Sequence, residues 1–275
     1  MTERMIEVAG LTTGYGRRRA GGEVLKAVCC SVARGSMTVL VGANGSGKST
    51  LLKALCGFLP AWTGTVRLAG APLATYTNMR RARLVAYLAQ SSAARSAPDV
   101  TVRRLVLHGR FPYTRFPRQY GARDRAIVDG ALEQLGLLSL ADEPLTALSG
   151  GQRQKAYLAM ALAQQTPLLV LDEPLTFLDI RQQLELLATL RRLQTQGKTI
   201  CMVVHDLNMA LACADEVLVL DGGAVVEQGG TAAVVASGVL DRVFAVKSAA
   251  VSLPDGGQLY TFSLPKHRNK TEPLP

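Results

Sequence analysis

Short unbroken apolar runs punctuate this chain: Met37-Thr38-Val39-Leu40-Val41, Leu168-Leu169-Val170-Leu171 and Thr199-Ile200-Cys201-Met202-Val203-Val204. Runs of this length suit strands buried on both faces, as in a parallel sheet. Ser49-Thr50-Leu51-Leu52-Lys53-Ala54-Leu55 reads as a helix after the first run, and Gly64-Thr65-Val66-Arg67-Leu68 as a further strand. Residues 5–35 read as short strands around a Gly/Arg-rich turn at 14–22, and lone Trp62 as a partly exposed packing residue in the Pro60–Gly64 turn. Val100–Gly109 and Arg123–Gly136 carry helical spacing, separated by a Pro/Arg/aromatic loop at 110–121. From residue 168 strands and helices alternate, which predicts a mainly parallel sheet. The expected fold class is α/β: a mainly parallel core, an N-terminal antiparallel β part and an inserted α-helical subdomain at about 91–165. A single domain over 1–265 and a flexible tail at 266–275 complete the expectation.

The turn after the first run carries chemistry. Gly42-Ala43-Asn44-Gly45-Ser46-Gly47-Lys48-Ser49 matches a glycine-rich phosphate-binding loop, here between a strand and a helix start. Glycines let successive backbone N–H groups turn inward around an anion, and the helix N-terminus adds positive potential. Lys48 can reach the β- and γ-phosphates, and Ser49 offers its hydroxyl to Mg²⁺. Gly42, Asn44, Gly45, Gly47, Lys48, Ser49 and Thr50 form the expected contacts to ATP.

Asp172 and Glu173 end the second apolar run. Ligands of open α/β sheets sit at the carboxyl ends of strands, so both carboxylates should face the phosphate loop. Asp172 would hold Mg²⁺, through water, and Glu173 would orient and deprotonate an attacking water. His205 follows the third run, where its imidazole could bridge the γ-phosphate and Glu173.

With Leu148-Ser149-Gly150-Gly151-Gln152, these segments resemble the ATP-binding subunits of ABC transporters over about residues 5–265. The resemblance implies a P-loop NTPase core. It implies that Tyr15 stacks on adenine, and that Gln90 contacts Mg²⁺, takes part in catalysis and senses the membrane partner. It also implies that Asp179 links the two sites of a dimer. Mg²⁺ would then be held by Ser49, Gln90 and Asp172. Ser149 can cap a helix running from about Gln152 to Gln164, and its hydroxyl, the N–H groups of Gly150 and Gly151, and the helix dipole make an anion site with Gln152. One side of the triphosphate already lies in the phosphate loop, so this second anion site is best explained by a γ-phosphate presented by another copy of the chain. Two small departures touch loop detail only: Ala89 stands where many members have Pro, and Leu175 where many have Thr or Ser.

Further stretches resemble importers of iron–siderophore complexes, haem and vitamin B12: Thr101–Tyr113, Gln152-Arg153-Gln154-Lys155, Phe177-Leu178-Asp179-Ile180 and His205–Ala210. That resemblance implies an ATPase partnered by its own second copy in a head-to-tail dimer and by an integral-membrane permease dimer. It implies indirect service to a substrate-binding protein, at the cytoplasmic face of the inner membrane. An iron–siderophore is the expected cargo, with haem and cobalamin as rivals; a soluble ABC ATPase outside transport is the alternative of another class.

Composition changes this picture in one respect. The 275 residues suffice for one ATPase domain, no run of 18 apolar residues is present, and the N-terminus lacks a charged-then-apolar leader pattern. The five cysteines show no metal spacing and read as reduced cytosolic thiols. Charge is the exception: the net charge is +10, and residues 67–125 carry 12 arginines, no lysine, and only Asp99 and Asp124 as acids. This window could approach anionic lipid headgroups beneath a permease or be an ordinary solvated face. A nucleic-acid role finds no aromatic stacking platform to support it.

Overall fold

The computed structural model describes residues 3–16, 22–90, 99–114, 119–252 and 258–264. The expected tail at 266–275, and parts of the expected turn at 14–22, of the insertion and of the loop at 110–121, lie outside the described residues.

The N-terminal part is a four-stranded antiparallel sheet. β1 (Arg4–Gly14) pairs with β2 (Glu23–Ala33) and β4 (Thr63–Leu68), and β4 with β5 (Ala71–Pro72). The short strands expected in 5–35 are instead two strands of 11 residues. Register shifts between Val8 and Leu11 and again before Gly14 let them bend rather than stop, which blurs the alternation in sequence.

A six-stranded sheet forms the core, in the order β10-β9-β3-β8-β7-β6. Its members are β3 (Met37–Gly42), β6 (Val85–Leu88), β7 (Leu168–Asp172), β8 (Thr199–Val203), β9 (Glu216–Asp221) and β10 (Ala224–Gly229). Every pairing is parallel except the edge pair of β9 with β10. All residues of β3, β7 and β8 are buried, as their unbroken apolar runs predict. Apolar residues on the two faces of this sheet belong to two different cores. Val39, Leu169 and Met202 join the helical part, whereas Leu40, Val170 and Val203 join α1 (Lys48–Leu55) and the antiparallel sheet.

The insertion is helical as expected, with shifted boundaries. α3 (Val102–Leu107) is shorter than the spacing over 100–109 suggests, because the chain tightens into a 3-10 turn over His108–Tyr113 that includes Pro112. α2 (Asn78–Ala82) precedes β6, α4 (Ala122–Gln134) matches expectation within a residue or two, and α5 starts earlier, spanning Gly150–Ala163. The chain continues through α6 (Ile180–Thr195), α7 (Leu207–Cys213), α8 (Thr231–Ala236) and α9 (Val239–Phe244). A hairpin of β11 (Lys247–Ser252) and β12 (Gln258–Ser263) follows, and buried Tyr260 joins it to the core. Trp62 is half-buried, as expected of a packing residue, and its backbone N–H donates to Thr12 O.

The arginine-rich window differs from a free basic face. Arg110 is only 4% exposed; it donates to Asp124 at 2.9 Å and to Ala163 O at 2.8 Å, and lies over the Tyr113 ring. Arg103 pairs with Asp129 and Asp142, acids that lie beyond the window. Arg83 donates to Pro112 O at 2.9 Å. Part of this charge therefore ties the insertion together.

Candidate nucleotide site

Strand order brings the expected groups to one edge. β8 lies between β3 and β7, and Leu40 and Asp172 are both register partners of Val203. The loop after β3, the residues after β7 and His205 after β8 therefore share the carboxyl edge of the sheet.

The phosphate loop turns through left-handed glycines, Gly45 at φ 79° and Gly47 at φ 103°. Gly47 also lacks room: a Cβ there would stand 2.9 Å from Leu25 Cδ2. α1 starts at Lys48, directly after the loop, so its free first-turn N–H groups face the anion position. Lys48 is 7% exposed and folds back onto the loop, donating to Gly42 O at 2.7 Å and Ala43 O at 3.0 Å. Burial pushes its pKa down, opposed by the nearby Glu173 and Asp172 carboxylates. An ammonium held by two neutral carbonyls is ready to exchange them for phosphate oxygens.

Asp172, 1% exposed, receives a hydroxyl on each oxygen: Ser49 Oγ donates to Oδ1 at 3.0 Å and Tyr87 Oη to Oδ2 at 3.3 Å. Burial pushes its pKa up, while the Ser49 bond holds it down. Among the described residues no cluster of three or more His, Cys, Asp or Glu side chains could hold a metal. A serine hydroxyl beside a carboxylate is a pair of hard oxygen donors, which fits Mg²⁺ whose other ligands are phosphate oxygens and water.

The next residue leaves the strand sharply. Glu173 has φ 55°, a left-handed conformation that is costly for a residue with a side chain and that clusters at functional sites. The turn carries the Glu173 carboxylate to His205, whose Nε2 stands 2.6 Å from Oε1. Thr176 Oγ1 donates to the other oxygen at 3.4 Å. Glu173 is thus held from both sides, with His205 half-exposed toward the open edge.

Tyr15 is exposed, its hydroxyl 3.3 Å from Lys53 Nζ and 3.5 Å from Thr50 Oγ1 on α1. Gln90 is exposed, just beyond the end of β6. The Ser149 segment lies beside the chain that follows the carboxylates, where Gln154 Nε2 donates to Pro174 O at 3.4 Å. Ser149 Oγ accepts from Gln152 N at 3.2 Å and Ser149 N donates to Gln152 Oε1 at 2.9 Å, a reciprocal cap. Gly150 and Gly151 therefore lie inside the first turn of α5, correcting the expected start near Gln152. A Cβ on Gly151 would meet Gln182 Oε1 at 2.5 Å and Leu178 Cδ2 at 3.1 Å, so glycine lets α5 press against the start of α6. There Asp179 caps α6 by accepting from Gln182 N at 2.8 Å.

Sequence reasoning missed Tyr87 and Thr176, which position the two carboxylates. Tyr87 had a faint signal, a polar-tipped ring in the apolar run Val85-Ala86-Tyr87-Leu88.

The chain is similar to known proteins. The family model described as ABC transporter matches residues 25–176. The achromobactin transport ATP-binding protein CbrD of Dickeya dadantii (strain 3937) is 40% identical, covering 85% of each chain. The iron(3+)-hydroxamate import ATP-binding protein FhuC of Bacillus subtilis (strain 168) is also 40% identical, covering 89% of each. Among solved structures, a metal-chelate type ABC transporter in an inward-facing conformation superposes with a TM-score of 0.80 at 26% identity, covering 96% of this chain and 98% of that one. The family model spans more than half of the chain and the 40% identical relatives are covered over most of their length, so the chain belongs to the ABC transporter family, among its ATP-binding subunits.

Proposed function

We infer that this chain hydrolyses Mg²⁺–ATP to drive uptake of an iron chelate, an iron–siderophore, through a separate permease. The observation that carries the hydrolytic reading is the 2.6 Å pairing of His205 Nε2 with Glu173 Oε1, at the edge that holds Lys48, Ser49 and Asp172. Glu173 takes the proton of the attacking water, and His205 fixes the direction of its carboxylate. Lys48 and the N–H groups of Gly45, Gly47, Lys48, Ser49 and Thr50 hold the phosphates, and Tyr15 faces the adenine. Ser49, Asp172 and Gln90 would hold the magnesium ion, which bound there would neutralise developing phosphate charge.

The chain works as a head-to-tail pair in which Ser149, Gly150, Gly151 and Gln152 of one copy close on the nucleotide of the other, with Asp179 between the sites. The capped start of α5 supports this reading, because a helix N-terminus favours an anion and the phosphate loop already supplies one such position of its own. Among the described residues no helix is long and apolar enough to cross a membrane. The import ATP-binding relatives support a peripheral place on the cytoplasmic face, against a permease dimer fed by a substrate-binding protein. The cargo reading rests on the achromobactin and iron–hydroxamate relatives. Deleting the gene tests it: growth on chelated iron should fail and recover with excess inorganic iron. A deletion strain that imports labelled siderophores normally but fails on haem or vitamin B12 would overturn the cargo.

A further inference from the structure

We propose that Tyr87 is a positioning residue for the metal-holding carboxylate, fixing the plane of Asp172 through its outer oxygen. The inference rests on the reading of Ser49 and Asp172 as magnesium donors. Asp172 is 1% exposed, so its two oxygens depend on protein partners. Ser49 occupies Oδ1 at 3.0 Å, and its oxygen would also offer a lone pair to the ion, so that contact belongs to the donor set itself. Tyr87 occupies Oδ2 at 3.3 Å and is the partner of Asp172 outside that donor set. A second hydrogen bond, on the other oxygen, restrains rotation of the carboxylate about its last bond, so its aim is kept.

The rest of the tyrosine is built to hold still. Its backbone pairs with Val170 of β7, two residues before Asp172 on the same strand. Its ring packs on the core shared by α1 and β7 and lies 5.2 Å from the ring of Phe58, which follows α1. Ring, strand and hydroxyl therefore move with Asp172. Because Gln90 lies just past the end of the same strand, β6, Tyr87 also anchors the base of the segment that carries Gln90.

The test measures metal binding directly. Mn²⁺ is titrated into ATP-loaded protein and free ion is read by electron paramagnetic resonance, in a Glu173→Gln background that prevents turnover. Tyr87→Phe removes only the hydroxyl and should weaken Mn²⁺ binding about 10-fold, the low end for losing a partner behind a metal ligand. ATP binding in excess chelator should stay unchanged. Phe58→Ala is the packing control: it should lower the melting temperature and leave the Mn²⁺ midpoint in place. Should Tyr87→Phe fail to fold, Tyr87→Met fills similar space without a donor and carries the same expectation. Asp172→Asn separates the two levels of the argument. If Asp172→Asn abolishes Mn²⁺ binding while Tyr87→Phe leaves it at the wild-type midpoint, the positioning role is wrong. If neither substitution changes it, the metal reading itself fails. Equal losses from Tyr87→Phe and Phe58→Ala would mark Tyr87 as packing alone.

Discussion

His205 reaches Glu173 because Glu173 abandons the strand. At φ 55° the backbone after Asp172 turns the carboxylate aside, to 2.6 Å from His205 Nε2, while Asp172 stays buried against Ser49. Adjacent carboxylates are thereby split between two environments, one fully buried beside Ser49 and one 10% exposed beside the half-exposed His205. Glu173→Gln keeps the shape but cannot take the water's proton. ATP hydrolysis in the assembled transporter should fall roughly 100-fold or more while ATP binding persists. Light scattering with ATP and Mg²⁺ should then show an accumulated dimer; a variant that stays monomeric would contradict the shared-site reading.

Lys48→Ala should abolish nucleotide binding or turnover, because the two carbonyls that now hold the ammonium offer phosphates nothing in its place. ATP hydrolysis by the assembled transporter checks it, and near-normal turnover would end the phosphate-loop assignment.

Asp172→Asn should stabilise the nucleotide-free protein near neutral pH. Burial raises the folded pKa of Asp172 above its ordinary value of 3.8, so the folded state binds the proton more tightly than the unfolded chain. Stability is then lost as pH rises from that ordinary value through the folded one, and the neutral amide escapes the loss. Melting scans should show the variant's advantage shrinking as pH falls through the raised value toward 3.8 and absent below it, by about 2–4 °C for each kcal/mol recovered. A variant that melts lower than wild type at pH 7 and equally at low pH would contradict this origin.

The core strands and the phosphate loop were legible because unbroken apolar runs and a spaced glycine pattern are local properties. β3, β7 and β8 follow their runs closely, and Lys48, Asp172, Glu173 and His205 converge because parallel order places their strand ends side by side. The long bent strands β1 and β2 were not legible, since register shifts break the alternation that would announce them. Nor was the start of α5: two glycines argue against a helix locally, and only the Ser149–Gln152 cap and the close approach to Gln182 make them fit. The arginine window misled for a related reason. Arg110 reads as surface charge, yet its partners Asp124, Ala163 and Gln165 assemble only in the fold.

Arg110 therefore supports a stability prediction. Arg110→Met removes the donor to the Ala163 carbonyl and leaves Asp124, 20% exposed, to Gly121 N, and should cost about 2 kcal/mol, the scale for losing a hydrogen bond to a charged group. Arg110→Lys keeps the charge but not the planar fork and should fall between. The Arg110 bond also holds the Asp124 carboxyl below its ordinary 3.8, so the wild-type advantage is present above that value and is lost as pH falls through the lowered one. Urea unfolding of the three proteins at neutral and acid pH checks both statements; a neutral-pH midpoint unchanged in Arg110→Met would make the pair dispensable.

Ser149 caps α5 and Lys48 folds onto the glycine loop, so in the proposed head-to-tail pair a change at each damages a different half of a site. A chain with Ser149→Arg retains a sound phosphate loop, and a chain with Lys48→Ala retains a sound helix cap. Alone, each variant makes a dimer in which both sites are damaged. Mixed, they form one site from the phosphate loop of the first chain and the helix cap of the second. Differently tagged chains, mixed with ATP and Mg²⁺ in a Glu173→Gln background, should trap nucleotide only in the heterodimer. The arginine at 149 is chosen because its bulk fills the anion position beside Gly150 while leaving the backbone N–H of Gln152 in the helix. If both variants fold, and wild-type cassettes close under the same conditions, the absence of a nucleotide-trapped heterodimer would mean that Ser149 does not act on the partner's nucleotide. Trapping by the Ser149→Arg homodimer alone would mean the same.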